Sequence, residues 1–467
     1  MAYRATIGLE IHAELTTRTK MFCECANNPD EIRANVNVCP ICMAHPGTLP
    51  VINREAVRHV LRVGAALGGA RADESVFDRK SYFYPDIPKG YQISQYDRPL
   101  VAGGSLSDIA VTRVHLEEDT ARSIHIKNAS LVDFNRAGIP LLELVTEPVI
   151  ADAETAGRFA RELQLLLRTL GASEANLEKG EMRIEANISV SPNEILGTKV
   201  EVKNLNSFRS VERAIAFEID RHVALIESGG TVVQETRGWD EAKQATFHQR
   251  FKEGSADYRY FPEPDLPKLF LSEIPEYSVE ALRASLPELP EEKRGRLQAA
   301  YGLKGDAAEL FVQDDELGAF FEKVVADRDP EFAKLAANYL TTDLVALQKS
   351  QTGIHPVVEA AAFTRLMDLI IADKLSSRGA KDVLRVMVEE GGDPETIAEE
   401  RGLAQVHDSA ALGAVVDTVI AQEEKAVLEY TSGKQAALQY LIGKAMKESG
   451  GAGNPESLRK LFVEKLG

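Results

Sequence analysis

Polar and apolar positions alternate over residues 4–15 (RATIGLEIHAEL), which predicts a β-strand with Leu9 and Ile11 on one face and Glu10 and His12 on the other. GEMRIEANISVS repeats the pattern, with Met182, Ile184, Ala186, Ile188 and Val190 on one face and Glu181, Arg183, Glu185 and Asn187 on the other. TKVEVKNL puts Lys199, Glu201 and Lys203 on one side of a further strand. Period-3.6 spacing replaces alternation over residues 53–68, which end on a Gly-Gly stop, and over residues 153–170. A third helix starts from Asn206 or Ser207 as N-cap and runs to about Glu227 on the stripe Val211, Ile215, Ile219, Val223 and Ile226. After the Pro/Glu-rich linker SLPELPEEKRGR, from about Leu286, the pattern is helical, divided by the turn signals TGIHP, EEGGDPE and ERGLAQVHD. A Gly-rich break and Asn454-Pro455 introduce the final helix. The expected class is α+β followed by all-α segments, with domains at residues 1–285, 286–405 and 406–467.

The stretch 114–149 sets six carboxylates among strand-like apolar runs. Glu143 sits between Leu142 and Leu144, so burial obliges it to find a partner: an arginine such as Arg136, a proton or a metal ion. Glu117, Glu118 and Asp119 would repel it without a cation. Glu10 and His12, two apart on a strand, can share a ligand or line a solvated face.

All four cysteines fall within twenty residues, as Cys23-x-Cys25 and Cys39-Pro-Ile-Cys42. That spacing predicts a closed structural zinc knuckle, with two disulfides as the alternative in an oxidising compartment. In DRKSYFYPDIPKGYQISQY, Arg79, Lys80 and Lys89 interleave with Tyr82, Phe83, Tyr84 and Tyr91. Such a loop suits phosphates and stacked bases, and equally suits packing of its own aromatics.

A net charge of −18 excludes a protein that coats nucleic acid non-specifically. From Thr431 onward the balance reverses, with six Lys/Arg against three Glu. No apolar run reaches the length of a membrane span and the start lacks an apolar signal core, so a cytoplasmic location without membrane association is expected. Walker, dinucleotide, zincin and esterase motifs are absent.

GLEIHAEL, the four-cysteine knuckle, DRKSYFYPDIPKGYQISQ, HLEED, LVDFNRAGIPLLELVTEP, RIEANISV, KNLNSFRSV, QETRGWD and DYRYFPEPDLP together resemble the GatB/GatE family, the B subunits of tRNA-dependent amidotransferases. The resemblance extends through KLSSRGAKDVL, GDPETIAEERGL and GNPESLRKLFVEKL, so it spans essentially the whole chain. It implies a glutamine synthetase-like cradle domain with a zinc knuckle, then a helical domain and a small tail domain that contacts tRNA. It implies ATP- and Mg²⁺-dependent phosphorylation of the side-chain carboxylate of Glu-tRNA(Gln) or Asp-tRNA(Asn), followed by amidation with ammonia from a glutaminase A subunit in a complex with a small C subunit. Carried over by position, Glu10, Glu118, Glu143, Glu185 and Lys203 are expected to be catalytic, and His12, Glu118 and Glu143 to hold Mg²⁺. Lys80, Lys89, Arg183, Asn206 and Arg209 are expected to contact the nucleotide, and Cys23, Cys25, Cys39 and Cys42 to hold Zn²⁺. Glu185, where many relatives carry Asp, and Ser81, where Asn is usual, depart from the pattern.

Overall fold

The computed structural model describes residues 3–251, 258–350, 358–404, 409–449 and 454–467. The turn signal TGIHP, residues 405–408 of ERGLAQVHD, residues 450–453 of the Gly-rich break and the first residue of DYRYFPEPDLP lie outside the described residues. The chain separates into two compact units, Met1–Pro290 and Glu291–Gly467.

The first unit is built on one ten-stranded sheet. Its long strands are β1 (Arg4–Glu14), β4 (Ile109–Glu118), β5 (Pro140–Thr146), β6 (Met182–Ser191), β7 (Val200–Leu205), β8 (Glu235–Asp240) and β9 (Ala245–Phe251), while β2 (Asp78–Ser81) and β3 (Tyr91–Ser94) form a hairpin beside β4. Across the sheet the order is β9-β8-β7-β6-β1-β5-β4, continuing into the short strands Val101–Ala102 and Ala70–Arg71. Neighbours run antiparallel except β7 and β8.

Strand alternation sorts the faces. Ile7, Leu9, Ile11, Leu116, Leu142, Leu144, Ile184 and Ala186 are buried against α1 (Arg54–Ala66), α2 (Ala153–Thr169) and α3 (Phe208–Glu227). Each helix begins at a residue that can cap it: the Asn53, Asp152 and Ser207 side chains accept backbone N–H groups of the first turn. Ser207 thus takes the role that the sequence left open between it and Asn206.

The expected apolar stripe of α3 is interrupted by charge. Val211 and Ile215 are buried, but the next inward positions are Glu218 and His222, both fully buried. Glu218 accepts two bonds from Arg221 Nε and one from Arg221 Nη2 at 2.7 Å, lies 3.2 Å from Arg237 Nε and 3.2 Å from His222 Nε2, and accepts the Thr246 hydroxyl. Glu235 takes Arg237 Nη1 at 2.7 Å and His248 Nδ1 at 2.6 Å.

The second unit is helical. The expected linker SLPELPEEKRGR is half helix: Pro290–Tyr301 is regular, because proline is tolerated in a first turn and Glu291 and Glu292 suit its positive end. Asp329-Pro330, Asp393-Pro394 and Asn454-Pro455 start later helices, each Asp or Asn accepting first-turn amides. Leu412, Val416, Leu441, Leu458 and Phe462 close a core of their own within the last helices, Ser409–Gln422, Gln435–Glu448 and Pro455–Leu466. Among the described residues no helix is long and apolar enough to cross a membrane.

Candidate active site

The face of the sheet opposite α1–α3 carries charge, and strand register assembles it. His12 pairs with Glu143 on one side and Arg183 on the other, and Glu143 pairs in turn with His115, so one row across four strands reads Arg183, His12, Glu143, His115. The next row brings Glu185 beside Glu10, and the row on the other side sets Glu14 and Glu117 across Leu141. Directly opposed side chains lie about 5 Å apart at Cβ, close enough for ion pairing.

The contacts follow. His12 Nε2 is 3.3 Å from Glu117 Oε1, 3.4 Å from Glu143 Oε2 and 3.9 Å from Glu10 Oε1. His115 Nε2 meets the same Glu143 oxygen at 3.3 Å, and Arg113 Nη2 reaches the other at 3.4 Å. Lys203 Nζ donates to both oxygens of Glu185 at 2.7 Å. Arg183 donates to Asp119 at 2.9 Å, which Arg136 also approaches at 3.6 Å.

Glu117 and Glu143 are only 2% and 4% exposed, so their charge must be matched locally. Burial opposes the charge on Glu143, but His115 and His12 outweigh it and hold the carboxyl well below its ordinary range. Burial likewise disfavours a charged His12, and hydrogen bonds to Glu117 and Glu143 overrule it and lift the imidazole well above its usual value. Lys80 is raised despite burial by the field of Glu117. Burial and then Glu143 push Glu10 up, and burial with Asp119 takes Glu14 to about 8. Glu117 Oε2 and His115 Nδ1 are buried without a hydrogen-bond partner among the described residues. Ligand atoms of Glu10, His12 and Glu143, and of His115, Glu117 and Glu143, lie within 4.8 Å of one another. Such a convergence of buried oxygens and imidazoles can hold a hard cation.

A second cluster joins the four cysteines, all free thiols whose sulfurs also lie within 4.8 Å of one another. Cys42 Sγ is 3.8 Å from Cys39 Sγ and 4.0 Å from Cys25 Sγ. Hydrogen bonding from Cys23, then from the Cys39 amide, with Lys20 nearby, holds Cys42 down at about 5, while the Cys23 thiol is raised by its bond to Cys42 and by burial.

Residues 5–275 match the GatB/GatE catalytic domain, and residues 319–466 match the GatB domain. The chain belongs to the GatB/GatE family. It is 46% identical to the B subunit of the aspartyl/glutamyl-tRNA(Asn/Gln) amidotransferase of Thermomicrobium roseum, covering 100% of this chain and 99% of that protein. It is 41% identical to the protein of the same name from Gloeothece citriformis, over 99% of this chain and 98% of that one. The chloroplastic/mitochondrial glutamyl-tRNA(Gln) amidotransferase of Physcomitrium patens has a B subunit 43% identical to this chain, over 99% of this chain and 85% of its own length.

Of the residues expected at the site, the sheet brings together Glu10, His12, Glu143, Arg183, Glu185 and Lys203, and the charge on Lys80 responds to Glu117 and Glu143. Glu118, expected with His12 and Glu143, makes its contacts elsewhere in the structure. Successive strand residues point to opposite faces, so with His115 and Glu117 turned toward His12, Glu118 turns away. Its carboxylate takes Lys89 Nζ at 2.5 Å and the Ile93 amide at 2.9 Å, and both Glu118 and Lys89 line a pocket with Cys23 and Cys42. Asn206 and Arg209 are exposed at the start of α3. Arg136, weighed as the partner of Glu143, serves Asp119 and the Thr120 and Ala121 carbonyls instead. Sequence reasoning missed Arg113, His115 and Glu14, and gave Glu117 no role. The available signal was His115-x-Glu117, which repeats on β4 the spacing of Glu10-x-His12 on β1.

Proposed function

We propose that this chain is the activating B subunit of an aspartyl/glutamyl-tRNA amidotransferase. The observation that carries it is the row of buried carboxylates and imidazoles on the sheet, with Glu117 Oε2 unpartnered among the described residues, Arg183 and Lys203 at its edges and Lys80 responding to its field. In the proposed reaction an oxygen of the side-chain carboxylate on Glu-tRNA(Gln) or Asp-tRNA(Asn) attacks the γ-phosphorus of ATP, ADP leaves, and ammonia then displaces phosphate from the acyl phosphate. Glu10, His12, Glu117 and Glu143 are the residues that would hold Mg²⁺, and their oxygen-rich, partly unsatisfied donor set fits it. Bound there, the ion would offset charge on the triphosphate. The protein's own part is to keep Glu143 and Glu117 ionised, to supply the cations of Lys80, Lys203 and Arg183 to phosphate oxygens, and to bury the site from water.

The cysteines fit a closed zinc site. Tetrahedral bonds of about 2.3 Å would separate sulfurs by about 3.8 Å, and the spacings are 3.8 and 4.0 Å. The ion would staple the loop between β1 and α1. Four thiols in one cluster leave no cysteine nucleophile for glutamine hydrolysis, which supports ammonia supply by an A subunit, with a small C subunit completing the complex. Reduced cysteines also support a cytoplasmic setting. The first unit would be the glutamine synthetase-like cradle, and the segments 286–405 and 406–467 the helical and tRNA-contacting tail domains.

The assembled complex is expected to hydrolyse ATP only when misacylated tRNA is supplied. Assaying Glu-tRNA(Gln) and Asp-tRNA(Asn) separately identifies the substrate. Tight tRNA binding without any ATP turnover would reduce the chain to a scaffold.

A further inference from the structure

The β2–β3 hairpin presents an aromatic surface that the proposed chemistry does not use. Asp78, 3% exposed at the head of β2, accepts the backbone amides of Tyr96 at 2.9 Å and Asp97 at 3.2 Å, which fixes the turn after β3. The Tyr96 ring stacks on Tyr260 with centroids 4.4 Å apart and planes 13° from parallel, yet Tyr96 remains 60% exposed. Tyr260 meets Tyr258 edge-on at 6.0 Å, and Lys80 Nζ lies 5.1 Å over the Tyr258 ring. A line of side chains therefore runs from the exposed Tyr96 ring, through two tyrosines, to Lys80, whose charge responds to the field of Glu117 and Glu143.

We propose that Tyr96 is a stacking platform for the adenine ring of a substrate. A large aromatic left exposed forgoes burial, and one stacked flat on a second ring, its own backbone amide held by a buried carboxylate, is preorganised to accept a third ring. The inference rests on the proposed function, whose two substrates both carry adenine at one end and the reacting group at the other: ATP, and tRNA, whose 3′ end is an adenosine bearing the amino acid. The order open ring, Lys80, carboxylates matches the order adenine, phosphate or ester, reacting group along either one.

Equilibrium binding to the assembled complex distinguishes the sources. Its probes are ATP, intact tRNA and tRNA lacking the terminal adenosine. Tyr96→Ala is expected to weaken either ATP, or intact but not truncated tRNA, by about 5- to 100-fold, the usual loss of one base stack. Tyr96→Phe keeps the ring face and is expected to stay within about twofold of the parent. Circular dichroism verifies folding, which an exposed position should preserve. Unchanged affinity for both ATP and intact tRNA in folded Tyr96→Ala overturns the platform, as does equal weakening of intact and truncated tRNA with ATP unaffected. A parent complex that proves inactive, yet loses adenine binding on Tyr96→Ala, would sink the amidation chemistry and leave the stack standing.

Discussion

Two buried ionic clusters occupy the same sheet, and they are built on opposite principles. Around Glu218 and Glu235, near the β8–β9 edge, Arg221 and Arg237 set their guanidinium forks against the two carboxylates, so charge is balanced within the cluster. Around His12, Glu117 and Glu143, carboxylates outnumber the guanidinium groups in contact with them, one carboxylate oxygen has no partner among the described residues, and imidazoles stand where arginines would. Burying a carboxylate costs several kcal/mol unless it is paired. Both clusters leave imidazole nitrogens without a hydrogen bond among the described residues, so the carboxylates make the difference: where every carboxylate oxygen is matched the cluster is structural, and where a buried carboxylate oxygen is left unmatched it is arranged for something it must bind.

The sharpest test of the contrast is Glu143→Gln. It keeps the shape and removes one charge from the unbalanced cluster, so activity of the complex is expected to fall about 10³-fold or more, the equivalent of several kcal/mol of lost charge stabilisation. Urea unfolding of the same variant is expected to shift as well, because Glu143 loses its contacts with His12, His115 and Arg113, so turnover is compared on protein that circular dichroism shows to be folded. Near-normal turnover in the folded variant would remove Glu143 from the site.

Glu218→Gln should lose stability and keep turnover. Hydrogen bonds from His222, Arg221 and Thr246 outweigh the effect of burial and hold the Glu218 carboxyl at about 2, below its ordinary 4.5. A depressed folded-state value stabilises the protein above the unfolded value and loses that contribution as pH falls through the window from 4.5 toward 2. The stabilisation at neutral pH is about 3 kcal/mol. Glu218→Gln is expected to be destabilised by about that amount at neutral pH and to show a flatter stability profile across the acid window, with turnover within about twofold of the parent. A parental acid profile would show that this cluster is not what its geometry says.

The smallest expected effect concerns the basic end of the chain. Three of its lysines are already engaged: Lys434 with Glu429 at 2.8 Å, Lys444 with Glu423 at 2.6 Å and Lys465 with Asp417 at 2.5 Å. Lys447, Arg459 and Lys460 are exposed with no such ion pair among the described residues. Reversing Arg459 and Lys460 together to Glu is expected to raise the KM for tRNA about 3- to 10-fold at low salt, fading as salt rises, whereas Lys434→Ala is expected to change it less than twofold. Equal effects from both would show that the paired lysines are as available as the unpaired ones.

Much of this molecule could be read from its residues alone, where the information is local. The alternation of RATIGLEIHAEL and RIEANISV fixed two central strands and their polar faces, Asn53 and Asn454-Pro455 marked helix starts, and four cysteines in twenty residues announced their own cluster. The family was legible because long motifs kept their order. The tertiary structure alone decided whether Glu117 or Glu118 faces His12, since a period of two says that neighbours diverge but not which one meets a strand about a hundred residues away. It alone placed Glu218 and His222 inside, because their arginine and threonine partners include residues of β8 and β9 that no helical period can reveal. And it engaged three of the tail's six cations, because Asp417, Glu423 and Glu429 lie before Thr431 in sequence and beside its lysines in space. Local pattern sets which elements form; only pairing register and side-chain partners across long sequence separations set which charges meet.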